Sequence, residues 1–173
     1  NLTGRLFAMI SMANDQKMGA AMQAQIVNKL NHIAATRQVR WLWAVESGSR
    51  AWGFASPDSD YDVRGVYVQA PTAYMGIDAA SENFEWIENT WFDVGAWDVR
   101  KTLRLLRTSN ATVLEWLQSP HIYQAAPDFQ ETMWALAQAY FQPAHALYHY
   151  RGIAKTASSA VQADGSIRLK KWF

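Results

Sequence analysis

The 173-residue sequence has no cysteine, and this absence excludes several kinds of site. Disulfide frameworks, thiolate nucleophiles and zinc sites built on sulfur all depend on cysteine. A chain without it is consistent with a reducing compartment, and we expect a cytoplasmic protein. The sequence also lacks any apolar run near the roughly eighteen residues that a membrane-spanning helix needs, so we expect no membrane partner.

An excess of charge of either sign is missing as well, since 16 Lys and Arg face 15 Asp and Glu, for a formal net charge of +1. This balance excludes a protein that coats nucleic acid by bulk electrostatics, so any RNA contact must come from a local patch. Apolar residues make up 50% of the chain, a composition typical of folded proteins. The length suits one domain with a proper core, which we expect the nine tryptophans to help fill.

We divide the chain into three parts. Residues 1–21 are interpreted as a leader or added segment without fixed structure. The apolar run 6–13 within them also has features of a secretory signal, although eight residues are at the short end for one. Residues 22–120 are expected to form a core domain, and residues 121–173 a helical extension that is incomplete at its end.

The stretch 45–67 has the features of a nucleotide-handling site. A predicted strand precedes Gly48 and Ser49, a small pair that lets the backbone pass close to another group. We expect this pair to turn the chain into a short helix whose first amide groups face phosphate oxygens.

Asp60 and Asp62 lie one residue apart at the start of a second apolar segment, 63–68. In an extended strand, residues i and i+2 project from the same face, so both carboxylates point to one spot. Two such charges repel each other unless a cation lies between them. Hard oxygen ligands on one face favour Mg²⁺, and a pair of Mg²⁺ ions is a known clamp for in-line phosphoryl displacement.

Together these residues resemble the signature of the DNA polymerase β nucleotidyltransferase superfamily. The signature comprises Gly48, Ser49, Gly53, Ser56 and the run Ser59-Asp60-Tyr61-Asp62. The following Arg64-Gly65-Val66-Tyr67 narrows the resemblance to a bacterial and phage family of predicted nucleotidyltransferases linked to RNA repair. The resemblance continues through Trp97-Asp98-Val99-Arg100-Lys101 and Leu114-Glu115-Trp116-Leu117-Gln118-Ser119-Pro120, and it covers roughly three quarters of the chain.

The resemblance implies transfer of a nucleoside monophosphate from an NTP, such as ATP, to an acceptor hydroxyl, with release of pyrophosphate. It implies two Mg²⁺ ions, or Mn²⁺ in their place, held by Asp60, Asp62 and Asp93. Asp93 would hold the metal that activates the attacking hydroxyl and would take its proton. The implied nucleotide- and phosphate-binding residues are Gly48, Ser49, Arg50, Ser59, Arg64, Arg100 and Lys101.

Asp93 is assigned as the third carboxylate because it matches the family position on the strand before the Trp-Asp-x-Arg-Lys helix. An acid between Phe92 and Val94 also costs free energy unless it is paired or bound to a metal. Asp98 is the competing acid, but its place directly before an apolar helical pattern predicts a helix N-cap. We expect the three assigned carboxylates to converge within metal-bridging reach.

The order of the elements indicates an α/β (α+β) domain, and the resemblance implies the polymerase β-like nucleotidyltransferase fold. We expect a small mixed sheet with flanking helices and a C-terminal helical extension. The predicted elements are a helix over 22–37, strands over 39–45 and 60–68, a strand or hairpin over 82–96, and helices from 99 and over 112–117, 128–141 and 144–160.

Basic and histidine side chains leave alternatives open. Arg100, Arg104 and Arg107 form a stripe on one helix, which is either a solvated flank or a contact for triphosphate or an RNA backbone. His145 and His149 have the i, i+4 spacing of a helical metal pair. The residues between them lack the glutamate of the zinc-protease motif, so ordinary packing is favoured.

The acceptor is not specified by the sequence. RNA ends are favoured by the family's proposed role, whereas other branches of the superfamily transfer AMP to proteins, some of them as antitoxins. A catalytically silent nucleotide-binding adaptor is a further class. The retained carboxylates argue against it, because acids held close together are costly to keep.

Overall fold

The computed structural model describes residues 2–53, 55–56, 59–89 and 91–159. Within them, helices flank a mixed five-stranded sheet, and this confirms the predicted α/β (α+β) fold class. The elements are α1 (Leu2–Arg37), β1 (Val39–Glu46), β2 (Tyr61–Gln69), a 3₁₀ turn (Pro71–Tyr74), β3 (Asn83–Asn89), β4 (Phe92–Asp98), α2 (Val99–Arg107), α3 (Ala111–Gln118), β5 (Ile122–Ala125), α4 (Phe129–Tyr140) and α5 (Pro143–Ser159).

The strands form one mixed sheet in the order β3-β4-β2-β1-β5. β2 and β4 run parallel, and the other neighbouring strands are antiparallel. β3 and β4 form a hairpin, which is one of the two alternatives that the alternating pattern over 82–96 left open. Because β2 and β4 run parallel, their first residues lie side by side at the same end of the two strands. The candidate site lies at this end.

One face of the sheet is covered by α1. Trp41 helps to join the two layers, since its Nε1–H donates to the carbonyl oxygen of Leu30 at 2.8 Å. Odd-numbered side chains of β2 point to this face, as the period of a strand requires. The buried core on this side consists of Ile26, Leu30, Ile33, Trp41, Ala44, Val63, Tyr67, Phe92, Val94 and Ala96.

The opposite face is covered by α2, α3 and α4. Its core beside the sheet consists of Trp43, Val45, Val66 and Trp116, and the indole of Trp43 donates to the carbonyl oxygen of Trp116 at 3.1 Å. Even-numbered side chains of β2 point to this face. Asp62 and Arg64 therefore lie on the side of the sheet away from α1.

The first helix and the fifth strand differ from the prediction. The first helix begins at Leu2, whereas the apolar stripe predicted a start at Met22. The stripe marks only the turns that pack on the sheet, and a helix continues beyond them without needing an apolar face. β5 was not predicted, since four residues show too little alternation; it pairs with β1 and extends the sheet past the proposed boundary after Pro120.

The short helix predicted after Gly48 and Ser49 is not formed. Residues 48–53 make a bend and turns, closed by the N–H of Ala51 donating to the carbonyl oxygen of Gly48 at 2.9 Å. Gly53 then adopts a φ of +78°, which ends any right-handed helical path. The predicted helix dipole is therefore replaced by the separate amide groups of a turn. Pro57 and Asp58 lie outside the described residues.

Asp98 is the predicted N-cap, and its side chain accepts the N–H of Arg100 at 2.8 Å. Its other carboxylate oxygen accepts the hydroxyl of Tyr74 at 2.6 Å, and the residue is only 1% exposed. The side chain of Asp98 thus stabilises the start of α2.

Among the described residues, no helix combines the length and apolarity that crossing a bilayer requires.

Candidate active site

Asp62 and Asp93 are brought together by the parallel pairing of β2 and β4. They are register partners in the ladder, and so are Arg64 and Gly95 two residues further on. Register partners on neighbouring parallel strands project from the same face, and strand alternation places Arg64 on that face too. The carboxylates that the resemblance assigned to metal binding at 62 and 93 are therefore neighbours.

The guanidinium of Arg64 joins the two carboxylates. Its Nη2 lies 3.0 Å from Oδ2 of Asp93 and 3.5 Å from Oδ1 of Asp62, and its Nη1 donates to the carbonyl oxygen of Val63 at 2.9 Å. The side chain lies over Gly95, where an added Cβ would be 3.2 Å from Cδ of Arg64. The side chains of Arg64, Asp62 and Asp93 are about one quarter to one third exposed. Water screens ion pairs at such positions, so these two pairs add little stability and other partners can replace them.

Gly48 lies directly against the carboxylate of Asp62. A Cβ built at position 48 would be 2.0 Å from Oδ2 of Asp62, so a larger residue here would force the carboxylate or the turn to move. The N–H of Ser47 also donates to the carbonyl oxygen of Asp62 at 2.8 Å, which fixes the approach of the two segments. The prediction that this glycine allows a close backbone approach is confirmed, and the group approached is an aspartate.

A cavity of about 350 Å³ opens beside these residues. Its wall includes Ser47, Arg64, Asp93, Trp97 and Trp116. An aromatic wall next to a charged floor suits a ligand that has a planar base and a polar tail.

Lys101 and Arg100 occupy different places, although they are adjacent in sequence. Nζ of Lys101 lies 3.1 Å from Oδ1 of Asn83 and 5.0 Å from the ring centre of Trp97, and both partners border the cavity. Arg100 is exposed and stacks over the ring of Tyr74 at 5.5 Å. The structure thus associates Lys101 with the cavity beside Arg64, while Arg100 is held against the 3₁₀ turn.

Asp60 and Ser59 precede the first residue of β2. Their carbonyl oxygens accept hydrogen bonds from Arg50, and the hydroxyl of Ser59 accepts the N–H of Ser56 at 2.9 Å. Their side chains are therefore carried by a loop, unlike those of Asp62 and Asp93. Ser49 lies in the turn that starts at Gly48 and is partly buried.

The expected convergence of three carboxylates is not observed. Among the residues that the structure describes, no three His, Asp or Glu side chains are grouped closely enough to hold a metal ion. Asp62 and Asp93 meet through Arg64, whereas Asp60 lies on the loop before the strand, outside the ladder that fixes the other two. Asp62 and Asp93 supply hard oxygen ligands, and the guanidinium between them is a cation that a metal ion can replace. Together with the close approach of Gly48 to Asp62, this arrangement suits a divalent metal ion.

Glu46 is an important residue that sequence reasoning missed. It is fully buried at the end of β1, where Oε1 accepts the N–H of Asp62 at 2.9 Å and Oε2 accepts the hydroxyl of Tyr123 at 2.6 Å. Burial raises the pKa of this carboxyl, and the hydrogen bonds from Tyr123, Asp62 and Gly48 oppose that rise. The available signal was an acid at the end of an apolar strand, which has the same cost as the one noted for Asp93.

Replacing Glu46 by glutamine is expected to remove a pH dependence of stability. With the folded-state pKa above the ordinary 4.5, the unfolded chain releases this proton first, so stability falls as pH rises through that window. Urea unfolding at pH 4 and pH 7 should show Glu46→Gln gaining on the wild type at the higher pH. Glu46→Ala should lose about 1–3 kcal/mol at both pH values, because it leaves the donors of Asp62 and Tyr123 without their acceptor. Equal pH slopes for wild type and Glu46→Gln would contradict this account.

Several other predicted features have structural roles. Arg104 of the basic stripe pairs with Glu82. His149 packs edge-on against the ring of Tyr150 at 5.8 Å, and no three-residue metal group within the described ranges includes it or His145. The packing interpretation of the histidine pair is the one that the described contacts support.

The comparison with known proteins gives a family match that includes the site residues. The family described as "RlaP: RNA repair pathway DNA polymerase beta family" matches residues 22–173. The chain belongs to this family. A relative named "Uncharacterized protein YcgL", from Bacillus subtilis (strain 168), is 38% identical over 152 residues, which is 88% of this chain and 58% of the relative. The chain thus spans a little over half of the relative's length.

RlaP membership confirms the resemblance found in the sequence. The matched residues include the Gly48 turn, the neighbouring carboxylates of Asp62 and Asp93, and Arg64. The match begins at residue 22, so it includes the part of α1 that packs on the sheet.

Proposed function

We propose that the chain is a metal-dependent nucleotidyltransferase that moves a nucleoside monophosphate from an NTP to a hydroxyl at an RNA end. The observation that carries the proposal is the in-register pair of Asp62 and Asp93, with Asp62 packed so closely against Gly48 that an added Cβ would overlap its carboxylate. RlaP membership supports both the reaction class and RNA as the acceptor. In the reaction, the acceptor oxygen bonds to the α-phosphorus, and the bond to the β-phosphate oxygen breaks to release pyrophosphate.

Asp62 and Asp93 would hold the metal, Mg²⁺ or Mn²⁺, with Asp60 joining them from its loop. When bound, two such ions neutralise triphosphate charge and make the attacking hydroxyl more acidic. Asp93 would accept the proton of that hydroxyl at a carboxylate oxygen.

Arg64 would have two roles, one without a bound metal ion and one with it. In the structure its guanidinium balances the charges of Asp62 and Asp93. With a metal ion held by these two carboxylates, the guanidinium would be available to bind the triphosphate, which suits its planar set of donors. Gly48 and Ser49 would offer their turn amides and a hydroxyl to the phosphates.

Ser59, Lys101 and Arg100 would complete the nucleotide contacts. Lys101 is the best placed of the three, because its partners Asn83 and Trp97 line the cavity. Ser59 would act from the loop that carries Asp60. Arg100 would have to leave the ring of Tyr74 to contribute.

A second candidate is a nucleotide-binding adaptor without turnover. The specific observation in its favour is that Asp60 does not group with the other two carboxylates in the described residues. Such a protein would bind an NTP in the cavity beside Arg64 and transfer nothing.

The acceptor is tested with four α-labelled NTPs, Mg²⁺ or Mn²⁺, and total cellular RNA, followed by treatment with RNase or protease. We expect macromolecular label that RNase removes and protease leaves. Label that only protease removes would replace RNA by a protein acceptor. Nucleotide binding without any macromolecular label would favour the adaptor.

A further inference from the structure

Arg50 lies on the face of the sheet opposite the carboxylates. Its guanidinium stacks over the ring of Tyr61 at 4.0 Å, and Tyr61 packs against the core under α1. Asp62, one residue further along the strand, points to the other face. Arg50 is thus separated by the sheet from Asp62 and Asp93, although the family resemblance implied that it binds phosphate.

The polar contacts of Arg50 are made with backbone. Nη2 donates to the carbonyl oxygen of Ser59 at 2.7 Å, and Nε donates to the carbonyl oxygen of Asp60 at 3.3 Å. Arg50 itself belongs to the turn that starts at Gly48. One side chain therefore links the turn that contacts the Asp62 carboxylate to the segment that leads into β2.

We propose that Arg50 is a positioning residue, which fastens the Asp60 segment to the Gly48 turn, and that it does not bind phosphate. Two hydrogen bonds fix the backbone on which the Asp60 side chain stands, and the stack on Tyr61 fixes the orientation of the guanidinium. The consequence for catalysis rests on the proposed nucleotidyltransferase function; the placement itself does not.

The surroundings explain why an arginine is needed. The guanidinium borders a cavity of about 570 Å³ under α1, whose wall also includes Glu46 and Tyr123. With open space on that side, its position depends on the three contacts rather than on close packing. A planar fork supplies two directed donors and a stacking face at once, which an ammonium group cannot do.

Arg50→Lys keeps the charge and removes the fork, and Arg40→Lys is the matched control on an exposed position of β1. Hydrogen exchange of the peptide spanning residues 59–64 should become about 10-fold faster in Arg50→Lys and stay unchanged in Arg40→Lys. Affinity for each of the four NTPs with Mn²⁺ should stay within about 3-fold of the wild type, because no phosphate contact is lost. The transfer rate at saturating NTP should fall about 10-fold without a matching rise in KM.

Unchanged exchange, or an NTP affinity that falls about 10-fold or more, would overturn the positioning role and return Arg50 to the phosphate ligands. Absence of transfer in the wild type would instead remove the proposed function. Exchange and NTP affinity would still decide the role of Arg50, since neither requires turnover.

Discussion

Replacing Asp62 by asparagine is expected to lower nucleotidyl transfer by about 10²–10³-fold, the usual cost of losing one preorganised electrostatic group. The amide keeps the shape of the side chain and gives up the negative charge that holds a divalent cation. Arg64 keeps its 3.0 Å contact with Asp93, and the backbone N–H of Asp62 still donates to Glu46. The melting temperature should therefore change little while the rate collapses.

The matched control is Asp78→Asn, an exposed acid on the loop before β3. Its transfer rate should stay at the wild-type level. Mn²⁺ affinity, followed by titration without nucleotide, should fall for Asp62→Asn and for Asp93→Asn but not for the control. An Asp62→Asn protein that transfers nucleotide at a rate near the wild type would contradict the assignment of this carboxylate.

Replacing Gly48 by alanine is expected to damage the site almost as severely. The new Cβ would lie 2.0 Å from Oδ2 of Asp62, so either the carboxylate or the turn must move. A displacement of about 1 Å at a reacting centre costs roughly 100-fold in rate, and the overlap itself costs about 1–3 kcal/mol of stability. Transfer rate and urea unfolding would be measured together.

Gly152→Ala is the matched control, because a Cβ at this position of α5 meets no atom within 4 Å. It should leave the rate unchanged and stability unchanged or slightly higher, since alanine favours a helix. If Gly48→Ala retained wild-type transfer, the close contact between the turn and Asp62 would have no role in the reaction.

The sequence indicated the site well where the relevant geometry is local. An acid before an apolar helical pattern predicted the Asp98 cap that is observed. The i, i+2 spacing placed Asp62 correctly on a strand, but Asp60 lies on the loop before β2. The closeness of Asp93 to Asp62 depends on parallel pairing between distant strands, which no local pattern specifies. Asp93 was therefore assigned to the site from the family resemblance, because residue spacing alone does not show that it lies beside Asp62.

Other features were missed because several contacts decide them together. The chain after Gly48 has residues compatible with a helix, yet the approach to Asp62 and the left-handed Gly53 produce a turn. Arg50 has the residue type of a phosphate ligand, and its face becomes evident only from the ring of Tyr61 beneath it. Arg64 shows a comparable effect, since the sequence did not reveal that its guanidinium lies between two acids.

The central claim is tested most directly by presenting NTP labelled at either the α- or the γ-phosphate to the wild-type protein with cellular RNA and Mg²⁺ or Mn²⁺. We expect the α-label to enter the acceptor and the γ-label to leave as pyrophosphate, with neither change in Asp62→Asn. Label from the γ-phosphate in the acceptor would indicate phosphoryl transfer and contradict the account. So would free inorganic phosphate with no labelled acceptor, because it would show hydrolysis at a site that transfers nothing.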